Sequence, residues 1–173
     1  MTVPAPSSAL THRRLARLCS ALLALAAAAT AAPASPAVQA AQAAQAAQAE
    51  QAAQADCGAA LVRPQRLQGT RHVLAFAPQP APWATGRPVA VDMVVCPKGD
   101  APMPDSVRVD ARMPQHGHGM NYRPSITSPA PGRWRAEGLM LHMAGRWELS
   151  FELNFELPQG RQVERLTQEL QLR

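Results

Sequence analysis

The chain has 173 residues, with 17 lysines and arginines against 12 aspartates and glutamates, a formal charge of +5. Three of the arginines, Arg13, Arg14 and Arg17, stand in the first seventeen residues with no acid beside them, and outside them the basic excess falls to two. That balance excludes the dense basic face of a nucleic-acid binder, and the length from Cys57 onward suits one sandwich-sized core rather than a two-domain enzyme.

Alanine makes up 20 of the first 50 residues but only 5 of the fifty from Ala101 to Ser150, so only the second half can build a core. At the start, Thr11 to Arg17 (THRRLAR) is basic and Leu18 to Ala29 (LCSALLALAAAA) is apolar. Small-residue sites follow at Ala29-Thr30-Ala31 and Ala32-Pro33-Ala34. Residues 1–34 are therefore expected to be a cleaved signal peptide, giving an exported, periplasmic protein. The apolar run falls short of the roughly 20 strongly apolar residues of a membrane span, so membrane attachment is expected only if the segment stays uncleaved. Arg13-Arg14 is a weak cue to twin-arginine export.

Residues 35–56 carry a triplet repeat, Val38 to Asp56 (VQAAQAAQAAQAEQAAQAD). A period of three does not match the 3.6 of a helix, and Ala with Gln offers no large apolar face. This Ala/Gln-rich linker reads as a solvated tether, disordered or transiently helical. No a/d heptad supports a coiled coil.

Loss of the signal removes Cys19 and leaves Cys57 and Cys96 in an oxidising compartment, where they are expected to form one disulfide. The rival, two soft copper ligands, lacks the close spacing of a thiolate metal pair.

Residues 57–173 carry period-two patterning. Val89, Val91, Met93 and Val95 share one parity, as do Val107, Val109, Ala111 and Met113. The clearest run is Trp147, Leu149, Phe151, Leu153, Phe155 and Leu157, interleaved with Glu148, Ser150, Glu152, Asn154 and Glu156. A slip of one residue there would bury three glutamates, so its register is strongly fixed. Leu166, Leu170 and Leu172 extend the pattern after the turn at Pro158-Gln159-Gly160, and Arg71 to Ala77 and Arg133 to Leu139 add further strands. About seven short strands predict an all-β, immunoglobulin-like antiparallel sandwich, with a small closed barrel as the alternative. Trp134 and Trp147, in a repeated Gly-Arg-Trp, read as core.

Strand logic leaves Met113 to Tyr122 (MPQHGHGMNY) unexplained. His116 and His118 project to one side of an extended stretch, and the glycines between and after them let the backbone bend until both nitrogens reach one point. With thioether sulfur at Met113 and Met120, imidazole and sulfur together favour copper over Mg, Ca or structural Zn. Met113 also continues the apolar parity of its strand, which favours a core role. A second pair, His142-Met143, lies before Gly145. His142 follows the inward parity of Trp134 and Ala136 unless Gly138 marks a bulge. Without metal, the histidines would bond their own loop or meet a partner protein. His72 opens a strand without a companion and reads as structural.

The blocks DARMPQHGHGMNYRP and GRWRAEGLMLHMAGRWELSFEL resemble the YtkA-like domain family, related to FixH, whose mark is a Met-Pro, His-Gly-His-Gly-Met loop and a later His-Met-x-Gly-x-Trp segment. The resemblance implies a small immunoglobulin-like sandwich outside the cytoplasm and suggests copper or redox-metal handling. Residue by residue it covers Met113, His116, His118, Met120, His142 and Met143. Ala144 stands where many relatives carry Pro.

No Gly-x-Ser-x-Gly elbow, His-Glu-x-x-His or phosphate loop is present, so no enzyme and no substrate are expected. A cupin-like His-x-His site would need a nearby carboxylate, and Gly119 to Arg123 contains none. The expected function is a non-catalytic copper-binding or copper-delivery accessory, its partner a copper-trafficking or cytochrome-assembly protein. The alternative is a metal-free envelope module presenting HGHGMNY to a membrane or redox partner.

Overall fold

The computed structural model describes residues 35–173. The expected signal segment, with Arg13, Arg14 and Cys19, lies outside the described residues. Ser35 precedes a helix α1 (Pro36–Ala55), and none of its residues is buried. Proline at the first helical position suits its fixed φ, and the Ala/Gln repeat supplies propensity without an apolar face. The tether is thus a solvated helix in this structure. No helix among the described residues is long and apolar enough to cross a membrane.

Nine strands follow in chain order: β1 (Gln65–Gln68), β2 (His72–Gln79), β3 (Pro88–Pro97), β4 (Ser106–Met113), β5 (His118–Gly119), β6 (Ser125–Ala130), β7 (Arg133–Met140), β8 (Gly145–Leu157) and β9 (Gly160–Leu172). They form a five-stranded sheet, β1-β2-β3-β7-β6, and a four-stranded sheet, β5-β4-β8-β9. Every pairing is antiparallel. From Gln65 onward the described chain is an all-β sandwich, as the alternation requires. The chain changes sheet between β3 and β4, between β5 and β6, and between β7 and β8.

The core lies between the sheets. From β8 it receives Trp147, Leu149, Phe151, Leu153 and Phe155, all fully buried, and from β4 Val107, Val109, Ala111 and Met113. Their alternates face outward in a charge ladder. In register, Arg112 stands beside Glu148 and Glu152 beside Arg165, and both pairs form ion pairs. This explains the expected register: shifting β8 by one would bury Glu148 and Glu152 and strand their arginines.

β2 departs from alternation, with His72 to Pro78 all buried. Its outer face is covered by the Cys57 region, where Val73 and Ala75 pack with Cys57 in a second small cluster. Cys57 and Cys96 are joined in a disulfide across 39 positions of sequence. Neither thiol is then free to bind copper.

β7 contains an extra residue. Val89 faces Leu139 and Val91 faces Ala136, so two residues of β7, Glu137 and Gly138, oppose the single Ala90 of β3. Exposed Gly138, at φ 85°, takes up the surplus. The bulge reverses the parity, so that Ala136, Leu139 and Leu141 are buried. Trp147 is fully buried as expected, whereas Trp134 is half-buried at the core margin.

Candidate functional site

One end of the sandwich carries the segments singled out in the sequence. β4 delivers Met113 at its last position, the chain turns through Pro114 to Gly117, and β5 returns so that His118 faces Met113 and Gly119 faces Arg112. The His116 amide donates to Met113 O at 3.1 Å, closing the turn, and the Met120 amide donates to Ala111 O at 3.1 Å. Gly117 adopts φ 65°, the left-handed conformation that lets so short a turn reverse.

This hairpin puts His116 and His118 side by side. Their rings stack with centroids 6.1 Å apart and planes inclined by 12°. Both residues are exposed. Met113, in contrast, is buried in the core, where Gly145 meets its methyl end. Gly145 adopts φ 126°, and a Cβ there would lie 2.7 Å from Met113 Cε. The start of β8 therefore runs against this methionine because it lacks a side chain.

The second pair arrives through the β7–β8 connection. Leu141 accepts a hydrogen bond from the Gly86 amide at 2.8 Å and is itself buried, which anchors the segment to the loop before β3. Trp147 Nε1 donates to Met143 O at 2.9 Å. The His142 ring stands edge-on to Trp147, centroids 5.6 Å apart at 78°. His142 Nδ1 is buried and has no hydrogen-bond partner. Met120 and Met143 are half-buried and pack on the edge of the core.

These placements create an open depression of about 420 Å3 lined by Gly117, His118, Gly119, Met120, Asn121 and His142. His118, Met120 and His142 thus share one concavity, although 24 positions separate His118 from His142. His116 adjoins through its stacking on His118. Met113 and Met143 are not among the lining residues. Asn121 is a lining residue that the sequence reading passed over, and nothing in its spacing marks it. Among the described residues, no three His, Cys, Asp or Glu side chains come together in a way that could hold a metal ion. A metal here would therefore need thioether sulfur beside the imidazoles, and Met120 is the sulfur that lines the depression.

His72 occupies the far end of the molecule and is structural, as its isolation in sequence implied. It is fully buried, with Nδ1 2.6 Å from Glu164 Oε2 and Nε2 2.8 Å from Pro102 O. Burial pushes the Glu164 carboxyl up, but hydrogen bonds from His72 and the Arg71 amide prevail and hold it below the usual carboxylate value.

The described residues form an exposed Ala/Gln helix followed by an antiparallel β-sandwich that gathers histidine and methionine at one end. No family model matches the chain, and no curated protein matches it. It is similar to a solved structure of a DUF4785 family protein from Legionella pneumophila, at 10% identity and a TM-score of 0.45. The match covers 60% of this chain and 29% of that one, so this chain spans less than a third of its length.

Proposed function

We propose that the protein is an exported, non-catalytic copper-binding or copper-delivery accessory of the YtkA-like, FixH-related type, acting through the depression at the His/Met end of the sandwich. The observation that carries the reading is the meeting of His118, Met120 and His142 in one concavity, with His116 stacked beside it. Two borderline imidazoles and a soft thioether suit copper: sulfur favours Cu(I), and the nitrogens accept Cu(II). His142 adds support because its Nδ1 is buried without a partner, while Trp147 holds the ring's orientation as an outer partner holds a ligand. Met120 takes the role of soft ligand in preference to core-bound Met113, and Met143 supports the loop beside it. The openness of the depression suits transfer to a copper-trafficking or cytochrome-assembly partner.

Copper titration of the exported chain tests this. Micromolar or tighter binding that is lost in the His116→Ala, His118→Ala double variant supports the carrier. Unchanged affinity in that variant rejects the site. Metal-independent capture of a redox partner, lost on Tyr122→Ala, would favour the interaction module instead; Tyr122 is 68% exposed and ends the loop.

A further inference from the structure

His72 is the only buried polar or charged residue among the described residues, and it joins three parts of the molecule that lie far apart in sequence. It opens β2 in one sheet. Its Nδ1 meets Glu164 of β9 in the other sheet, and its Nε2 meets Pro102 O in the 98–105 connection. The ring also stacks on Phe155 of β8, centroids 5.0 Å apart.

Both partners are acceptors. A carbonyl oxygen holds no proton, and a carboxylate holds none while charged, so both bonds form only if the imidazole carries a proton on each nitrogen. A neutral ring would turn one lone pair toward an oxygen, which costs free energy in a buried site. Glu164 offers one oxygen to His72 Nδ1 at 2.6 Å and the other to the Arg71 amide at 2.9 Å, an arrangement of two donors on one carboxyl that suits the charged form, so the second proton belongs to the ring.

We propose that His72 is a proton-held clasp, closing the 98–105 connection onto both sheets while the ring is doubly protonated and releasing it as pH rises. Of the two bonds, the one to Pro102 yields, because the charged Glu164 retains the proton on Nδ1. Release loosens the amides of Lys98, which donates to Arg71 O at 2.9 Å, and of Ala101, which donates to Lys98 O at 3.2 Å. It also frees Met103, whose methyl end closes over Gly132 at the β6–β7 turn.

The other charged groups on the surrounding elements already have partners or lie toward solvent. The Arg71 guanidinium sits 5.0 Å from the Phe155 centroid and donates to Gln162 at 3.0 Å, and Lys98 Nζ donates to Gly69 O at 2.7 Å. Asp105 accepts from the Glu156 amide at 2.7 Å, Glu156 pairs with Arg161, Arg165 pairs with Glu152, and Asp100 is exposed. None of them offers the ring an alternative donor or acceptor. The clasp lies at the Phe155 end of β8, away from the candidate copper site beside Gly145, and does not depend on that reading.

The test is nitrogen-15 NMR of histidine-labelled full chain, with amide exchange, from about pH 5.5 to about pH 8.5, a range that brackets the ordinary histidine value. Two signals are expected: both His72 nitrogens protonated at the acid end, and protection of Ala101 relative to Phe151 falling by up to about tenfold per pH unit once the proton leaves. A ring with one bare nitrogen at the acid end would overturn the proposal. So would a ratio of Ala101 to Phe151 protection that stays flat across the range. His72→Gln should abolish the pH dependence; the wild-type ratio decides whether or not that variant folds.

Discussion

The His142 ring meets Trp147 edge-on at 5.6 Å, and the same indole donates its proton to Met143 O, so one buried tryptophan fixes both members of the His142-Met143 pair. Trp147 is fully buried in the core. Core packing and the placement of the His142-Met143 pair are therefore coupled at this residue. Replacing Trp147 by Phe keeps an aromatic ring but deletes the donor and part of the volume, and should cost about 2–3 kcal/mol in urea denaturation. Copper affinity should fall as well. A Trp147→Phe protein with wild-type affinity would show that His142 orientation does not matter to binding.

Gly145 and Gly117 both adopt positive φ, yet they differ in surroundings. A Cβ at Gly145 would meet Met113 Cε, whereas one at Gly117 would meet nothing within 4 Å. Gly117→Ala should cost about 1 kcal/mol, the conformational penalty alone, and Gly145→Ala about 2–3 kcal/mol, with displacement of Met113 added. Thermal melts of the two variants compare them directly. Equal losses would contradict the proposed close contact.

Glu164 connects stability to acid. Its carboxyl lies below the ordinary value of 4.5 in the folded protein, so it contributes stability above that pH and loses it as the pH falls toward its folded value. Glu164→Gln should be less stable than wild type by about 1–3 kcal/mol at neutral pH. The gap should narrow as pH drops below 4.5. Urea midpoints measured for both proteins across that interval check it, and a gap that widens in acid would contradict the assignment.

The disulfide closes a loop spanning 39 positions and restrains the unfolded chain. Replacing both Cys57 and Cys96 by Ser should cost about 3–4 kcal/mol. Because the outer face of β2 packs on Cys57, the loss should be accompanied by faster exchange of the Val73 and Ala75 amides, while Phe151 stays protected. Uniform acceleration would place Cys57 in a single cooperative unit with the main core.

Strand β8 was legible in the sequence because its two faces bury one chemistry and solvate the other over eleven consecutive positions from Trp147 to Leu157. The same holds for β4 and the visible half of β9. Strands β1 and β6 were not, since Gln65–Gln68 and Ser125–Ala130 are edge strands of polar residues, one containing Pro129, and their place depends on a neighbour's hydrogen bonds. β5 is two residues long and exists only through its pairing with Arg112 and Met113. The expectation of about seven strands was short for that reason. α1 was open to either reading, because propensity favoured a helix while no buried face required one.

At the site, the sequence exposed the donor types but not their assembly. His116 and His118 are neighbours through local backbone geometry. His142 lines the same depression on the parity opposite to Leu139 and Leu141, beyond the bulge that Gly138 marks, and its ring meets Trp147 edge-on; the glycine hinted at the bulge, but nothing in the spacing marks the Trp147 contact. His72 shows the same limit: its isolation suggested a structural role, but Glu164, 92 positions later, became its partner only through the stacking of two sheets.

The most direct measurement is methyl and imidazole NMR of the protein during stoichiometric addition of Cu(I) under anaerobic conditions. Shifts confined to the Met120 methyl and the His118 and His142 rings, with the Met113 methyl unmoved, are the predicted result. Copper that perturbs Met113 but not Met120, or that leaves His142 unchanged at saturation, would contradict a site built on that depression.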